Sequence, residues 1–476
     1  MKIVLVNTNL MRPPVVPVGL DYAATALKKK GHSVDLLDLC RAQNWQEECD
    51  SYFSKNSPDA IGATVRNSDD CYMASRDFKM PQIKKIINYI KLKSRAPIIL
   101  GGAGFSVMPE QVLEFLDVNM GIWGEAEQAL PLLLHVIKRP SEYAKVPGLV
   151  RKISSTYRRN PPAFADIYRF SLSARDTVDN LWYFQHGGMG AVETKRGCDK
   201  SCIFCADPVV RGKKCRLRNP EDVADEFENL LKQGVTHFHL CDSEFNLPYG
   251  HAAMVCHELI KRKLGEKIKW YTYAYPVPFD KSLAGLMKKA GCAGINFGAD
   301  SADARMLRWL GKDYSPQDLG KTARACRDNG IPFMFDLLIG GMGETRKSIK
   351  RTITLMKETG PDCVGISLGI RVYPGTRLAE IAKSGLLSDK LHGKTRNNSG
   401  LLEPVFYLEN DFWAYILELV EGDQRFFFPN RDKKSYNYNA NAFLEDAIKK
   451  GERGAFWDIL RRNRRPPRPR EIELEQ

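Results

Sequence analysis

Three cysteines stand in the run Lys195-Arg-Gly-Cys198-Asp-Lys-Ser-Cys202-Ile-Phe204-Cys205. Their Cys-x3-Cys-x2-Cys spacing constrains the chain more than any other feature, because one short loop must gather three thiols. A [4Fe–4S] cluster takes four thiolates, one per iron, so three leave one iron open. Tetrahedral zinc needs a fourth ligand, for which only Cys215 or a distant histidine offers itself. Three uncoordinated thiols are the plainest alternative. The spacing and the glycine beside it favour the cluster.

The patterning on either side predicts two α/β units. In residues 1–145, short apolar runs at 3–6, 33–37, 60–65 and 97–100 alternate with helical periodicity at 19–30 and 81–93, which implies a doubly wound, mostly parallel sheet. Ligands of such sheets sit beyond the carboxyl ends of the strands. Residues 146–189 show little periodicity beyond 147–151, and Arg158-Arg-Asn-Pro-Pro162 predicts a linker. Runs at 191–194, 237–241, 269–274, 294–298, 333–339 and 365–372, with helices such as 221–231 between, give six βα repeats over residues 190–385. That count predicts a partial (β/α)6 barrel with its chemistry at the strand C-termini. Residues 386–476 predict a separate, smaller C-terminal cap, aromatic at Phe406, Tyr407, Phe412, Trp413, Tyr415, Phe426, Phe427, Phe428, Tyr436 and Tyr438, ending in a basic tail from Arg461 to Arg470.

The cysteine segment, with an aromatic residue, Phe204, just before its last cysteine, resembles the radical S-adenosylmethionine (SAM) superfamily. The resemblance implies that Cys198, Cys202 and Cys205 hold the cluster and that its open iron binds SAM. One-electron cleavage of SAM then yields a 5'-deoxyadenosyl radical, fed by an external electron donor. Strand-end motifs would hold SAM: Asp242, Glu244 and Asn246 at its amino group, Asp300 and Ser301 at the ribose, and Gly340 and Tyr373 at the adenine side and the sixth strand end. Arg216 and Arg218 follow the cysteines and could pair with the SAM carboxylate. Scattered Cys241, Cys256, Cys292, Cys326 and Cys363 read as small core residues.

Two further segments, Leu100-Gly101-Gly102-Ala-Gly104-Phe105-Ser106 and Gly121-Ile-Trp-Gly124-Glu125, resemble the cobalamin-binding domain found upstream of many radical SAM modules. Asn7, Thr64 and Asn67, at the ends of the first and third strands, complete the expected cobalamin set. The loop after the first strand, Asn7-Thr-Asn-Leu-Met-Arg-Pro-Pro14, lacks the Asp-x-His-x-x-Gly run of proteins that place histidine under cobalt. Cobalt without a histidine lower ligand is therefore expected. Arg66 lies at the third strand end, as in the tryptophan 2-C-methyltransferase branch, where an arginine approaches cobalt without ligating it. The plain alternative for Arg66 is an ion pair with Asp69 or Asp70.

Two such cofactors in one chain imply a cobalamin-dependent radical SAM C-methyltransferase that consumes one SAM as methyl donor and one as radical source. Methylation of an aromatic carbon without hydrogen abstraction is the variant implied by the tryptophan branch. The basic balance, +14, points toward a protein substrate, and a relative that methylates a glutamine of methyl-coenzyme M reductase supplies the specific expectation. Tryptophan or a peptide natural product is the alternative, and a tRNA-modifying or nucleic-acid-binding radical SAM protein is the alternative of another class. No compact interleaving of aromatic and basic residues supports the last. Twelve cysteines in 476 residues are too sparse for a disulfide framework, and no run approaches a membrane span. A cytoplasmic enzyme is expected.

Overall fold

The computed structural model describes residues 1–164, 166–169, 174–385, 388–428 and 439–463. Tyr436, Tyr438 and the part of the basic tail from 464 onward lie outside the described residues.

The first sheet is built from β1 (Lys2–Asn7), β2 (Ser33–Asp38), β3 (Ala60–Thr64), β4 (Ile98–Gly101), β5 (Met120–Ile122), β6 (Leu149–Ile153) and β7 (Thr156–Arg159), in the order β2-β1-β3-β4-β5-β6-β7. The first five are parallel. Five of the six residues of β1 are buried, as expected of a strand covered by helices on both faces. Ile83, Ile86, Ile87 and Ile90 of the helix Met80–Lys93 pack one side, and Leu27 with Leu130, Leu133 and Leu134 packs the other. The stretch expected as a linker does more than connect. β6 and β7 form an antiparallel hairpin that extends this sheet, and a helix at Asn180–Gly187 follows, capped by Asp179. Four- and five-residue strands with charged outer faces leave too short a pattern to read.

The second unit begins at β8 (Gly190–Val192). β9 (Lys195–Arg196) and β10 (Arg216–Leu217) pair antiparallel and close the cysteine loop between them. β11 (His237–Leu240), β12 (Lys269–Ala274), β13 (Cys292–Asp300), β14 (Phe333–Ile339) and β15 (Cys363–Leu368) continue the barrel, and β16 (Ile370–Arg371), β17 (Leu391–Gly393) and β18 (Val405–Tyr407) make a small antiparallel sheet at its rim. β19 (Phe426–Phe427) adds to β15, giving the all-parallel order β19-β15-β14-β13-β12-β11-β8. Six βα strands thus form an open partial barrel. Residues beyond 386 do not stand apart as a cap. They supply β19, and the helix Phe456–Arg462 closes the barrel's lower end, where the Trp457 ring meets Tyr271 edge-on and lies against Gly294 and Tyr271 Oη donates to Asp458 at 2.9 Å.

Strand alternation sorts the barrel's side chains. Phe238, Trp270, Ile295, Phe297, Phe335, Leu337 and Ile366 belong to the core under the outer helices. Their neighbours His239, Tyr273, Asn296, Asp336 and Gly365 therefore face the lumen. Tyr273 is 43 % exposed between buried neighbours, so the lumen above Tyr271 is open space. No helix among the described residues is long and apolar enough to cross a membrane.

Candidate active site

The cysteine loop is positioned from below by one carboxylate. Asp242, after β11, accepts from Thr194 N, Thr194 Oγ1 and Lys195 N, and is only 2 % exposed. It fixes the chain entering the loop, so its side chain is not left for the SAM amino group as expected. The loop is held from the far side by Ile203 N donating to Leu310 O and Leu378 N donating to Ile203 O.

Burial pushes the Cys198 thiol up to about 11. Cys205 is raised further, by burial, by Asp207 and by the other two thiols. Burial also raises Cys202, against the pull of the Lys312 ammonium. The three groups feel one another electrostatically, and their ligation requires a cation to displace the protons. No three His, Cys, Asp or Glu side chains among the described residues converge on a single-ion site. Phe204 faces the Lys312 ammonium at 5.7 Å from its ring centre.

Above the loop, Glu244 carries a buried Oε2 without a hydrogen-bond partner. Burial lifts its carboxyl to about 7, against the pull of Lys312 and Lys195. An orphaned acidic acceptor beside the cysteines fits an ammonium donor such as that of SAM. Asp300 is also near, but its Oδ2 is ion-paired to Lys312 at 2.7 Å. Lys312, 4 % exposed at its side chain, escaped the sequence reading because it lies twelve residues past its strand, inside a loop with no motif. His239, Tyr273 and the Asn296–Asp336 pair, joined at 2.7 Å, line the lumen below. Their inward parity was readable; their shared position was not.

Other expected SAM contacts are engaged within the protein. Asn246 donates to Tyr275 O and Pro278 O and accepts from Tyr275 N. Ser301 bonds Thr352 and Asp303 N. Arg218, 1 % exposed, pairs with Glu226 at 2.5 Å and donates to Glu193 O. Arg216 pairs with Glu125 at 2.5 Å. Arg218 is buried against the Tyr22 ring, with its Nε and Nη2 left without a hydrogen-bond partner. Gly340 turns the chain after β14 at φ +102° with Leu408 against it, and Tyr373 Oη lies 2.9 Å from Cys71 Sγ and 3.3 Å from Asp69 Oδ1.

On the first domain, the ends of β3 and β4 form a second platform. Gly102 at φ +99° and Gly104 let the β4 turn press on Thr64, Val65 and the Asn67 backbone, so these two glycines serve a close backbone contact within the domain. Phe105 is core beneath Gly121. Ser106 Oγ donates to Gly102 O and accepts from Gly124 N, tying the two segments together. Asn7 is held by Asp38 and Tyr183, and Glu125 by the arginines of β9 and β10. Gly101 has open space around it, and Asn67 is exposed. The platform's exposed ligand-facing groups are thus fewer than expected.

Arg66 is the exception among the charges. Asp69 pairs instead with Arg371 at 3.0 Å, and Asp70 accepts from Ser75 at 2.6 Å, so the ion pair weighed for Arg66 does not form. Among the described residues its side chain hydrogen-bonds Met11 Sδ at 3.8 Å. Burial lowers its pKa, and the groups around it are Cys241, Tyr273, Cys40 and Tyr183, none of them a carboxylate. A cation held over the open lumen, flanked by a glycine-bounded platform, fits the face of a corrin macrocycle.

Comparison with known proteins agrees with both halves of this geometry. The B12 binding domain family matches residues 6–134 and the radical SAM superfamily residues 192–356. The tryptophan 2-C-methyltransferase of Streptomyces laurentii is 29 % identical over 441 residues, covering 79 % of this chain and 74 % of that protein. The structure of the radical SAM methyltransferase TsrM from Kitasatospora setae, with tryptophan and the SAM analogue aza-SAM bound, superposes with a TM-score of 0.89 at 29 % identity, covering 97 % of each chain. A second structure of that protein, with cobalamin and a [4Fe–4S] cluster, gives 0.88 at 28 % identity. The chain is a cobalamin-dependent radical SAM methyltransferase. Its cofactors are a [4Fe–4S] cluster, SAM and cobalamin. The expected protein glutamine substrate finds no support among these relatives of the methyltransferase, one of which is named for tryptophan and another of which holds it.

Proposed function

We propose that this methyltransferase acts on a ring carbon of free tryptophan or a close aromatic analogue, taking the methyl group from SAM by way of cobalamin. The observation that carries the proposal is the end-to-end likeness to a chain that holds tryptophan in its structure, together with an Arg66 that no carboxylate among the described residues pairs with. Bound cobalamin supplies a carrier that accepts a methyl group and gives it up to carbon, and the SAM-bound cluster supplies one-electron chemistry.

The chain's own residues then have distinct tasks. Cys198, Cys202 and Cys205 hold the cluster. Glu244 accepts from the SAM ammonium and orients it over the lumen. The buried Lys312 balances Asp300 and the cysteine loop. Arg66 would present a cation to the bound corrin and would offer its metal no ligating base. Tyr273, His239 and the Asn296–Asp336 pair form a polar floor for the substrate, and burial keeps His239 neutral at about 4.

The test is anaerobic reconstitution with iron, cobalt and SAM analysis per chain, followed by incubation with SAM and tryptophan and mass analysis of the product. Methylated tryptophan supports the proposal, and 5'-deoxyadenosine formed in step with it would mark hydrogen abstraction. Both cofactors bound with no methylated indole product would move the substrate elsewhere.

A further inference from the structure

The stretch Leu310 to Asp313 clamps the cysteine loop from one side. Leu310 ends the helix Ala304–Leu310, and its carbonyl accepts from Ile203 N at 3.1 Å. Gly311 follows at φ +79°, so close to the loop that a Cβ there would run into the Ser201 carbonyl oxygen, a contact that only glycine permits. Asp313 pairs with Lys200 at 2.8 Å. Between Gly311 and Asp313, Lys312 runs inward instead of into solvent. Its ammonium pairs with Asp300 at 2.7 Å, and lies 5.3 Å from the Tyr275 ring centre and 5.7 Å from that of Phe204, the residue before the last cysteine.

Backbone bonds and the glycine contact already hold the loop, and a buried ion pair is a poor source of stability beside an apolar pair of the same size. Asp300 also stands at φ +55°, at a register shift in the β13–β14 ladder, a backbone region that residues with a Cβ populate sparsely. The pair is therefore costly to keep, and its place suggests what it serves. Of the charged side chains around Cys202, Lys312 acts on it most strongly. At Cys198 and Cys205 the leading side-chain charges are the acids Glu244 and Asp207.

We infer that Lys312 tunes the reduction potential of the bound cluster from the side of Cys202, and that Asp300 limits the effect. Three thiolates make the site anionic, and an electron taken from a reductant makes it more so. A buried ammonium beside one ligand therefore favours the reduced state, and the carboxylate next to it opposes that gain. Nothing in this role depends on the identity of the methyl acceptor.

The experiment is reduction of the reconstituted, SAM-free enzyme by titanium(III) citrate against a viologen dye, with the reduced cluster counted by electron paramagnetic resonance. It compares the natural protein with Lys312→Met, Lys312→Arg and Asp300→Asn, with iron content measured for each. Where the natural cluster is half reduced, Lys312→Met should lower the ratio of reduced to oxidised cluster about tenfold, which for a one-electron couple is a shift of about −59 mV. Lys312→Arg, which keeps the charge, should stay within about threefold of the natural protein. Asp300→Asn should move the ratio upward. A purely structural pair does not give opposite signs, since breaking either half would disturb the loop alike.

A ratio within about twofold of the natural one in Lys312→Met with full iron content overturns the inference, and so do shifts of the same sign in Lys312→Met and Asp300→Asn. If the potential holds while SAM binding, read by calorimetry, weakens, Lys312 is a SAM contact and not a tuning residue. Should Lys312→Met fail to hold iron, Asp300→Asn decides: an upward shift supports the role, and its absence overturns it.

Discussion

Two sides of the contact between the first domain and the barrel use arginine in opposite ways. On one side, Arg175 bonds Asp21 at 2.7 Å and Glu226 at 2.6 Å with all three side chains fully buried. Beside them Arg218 shares Glu226, and Arg196 joins Glu127 and Glu193 at 2.6 and 2.8 Å. On the other side no carboxylate among the described residues pairs with Arg66. A matched buried arginine is architecture, since it repays the cost of its own desolvation only through its partners. An unmatched one beside open space marks a place for something the chain does not supply.

The largest effect should come from unmatching a matched arginine. Arg175→Met leaves Asp21 buried without its cation and Glu226 with Arg218 alone, and should cost about 3–5 kcal/mol of stability, seen as a lower denaturation midpoint with the slope unchanged. A loss below about 1 kcal/mol would show that the seam is not what joins the domains.

Carboxylates sharpen the same contrast through pH. Burial pushes Glu193 up, but Arg196 and Arg211 outweigh it and hold it at about 2; its stabilisation is present above the unfolded value near 4.5 and is lost as pH falls toward 2. At Glu344, 4 % exposed, burial wins: it lifts the carboxyl to about 7 against the hydrogen bond from Ser348 and the weaker pull of Arg305. In that case the native state holds a proton that the unfolded state has released, so stability falls as pH rises from about 4.5 to 7. Glu344→Gln should remove that slope, gaining about 2–3 kcal/mol on the natural protein at pH 8 and nothing at pH 4. Parallel stability curves for the two proteins would mean that Glu344 ionises freely.

A smaller quantity tests whether the seam acts as a unit. Arg196 and Glu127 come from different domains, and a double-mutant cycle of Arg196→Gln with Glu127→Gln should give a coupling of about 1–2 kcal/mol. Strict additivity would assign their closeness to packing alone.

Much of this was legible before any coordinates. The cysteine spacing, the six βα repeats and the strand-end glycines all depend on short-range pattern, and each lies where expected. What escaped depends on long-range pairing. Arg218 and Arg66 each stand just after a strand, and only the fold reveals that Glu226 meets one while no carboxylate among the described residues meets the other. Asp242 reads as a cofactor contact until Thr194 and Lys195 are found bonded to it. Residues 442–463 gave no sign that Trp457 would close the barrel, because a single tryptophan carries no period.

Arg66 gives the smallest stability effect and the sharpest decision. Removing a half-buried cation that no described carboxylate pairs with relieves desolvation and breaks a weak contact to Met11, so Arg66→Met, close to isosteric, should change stability by less than about 1 kcal/mol and in the stabilising direction. The same substitution should leave iron content intact while altering the visible spectrum of the bound cobalamin and sharply reducing methyl transfer. Arg66→Lys, which keeps the charge on a different shape, separates charge from geometry: recovery of spectrum and turnover assigns the effect to the cation, and no recovery assigns it to the planar guanidinium. A stability loss like that of Arg175→Met, with spectrum unchanged, would place Arg66 among the structural arginines and dissolve the contrast between the two sides.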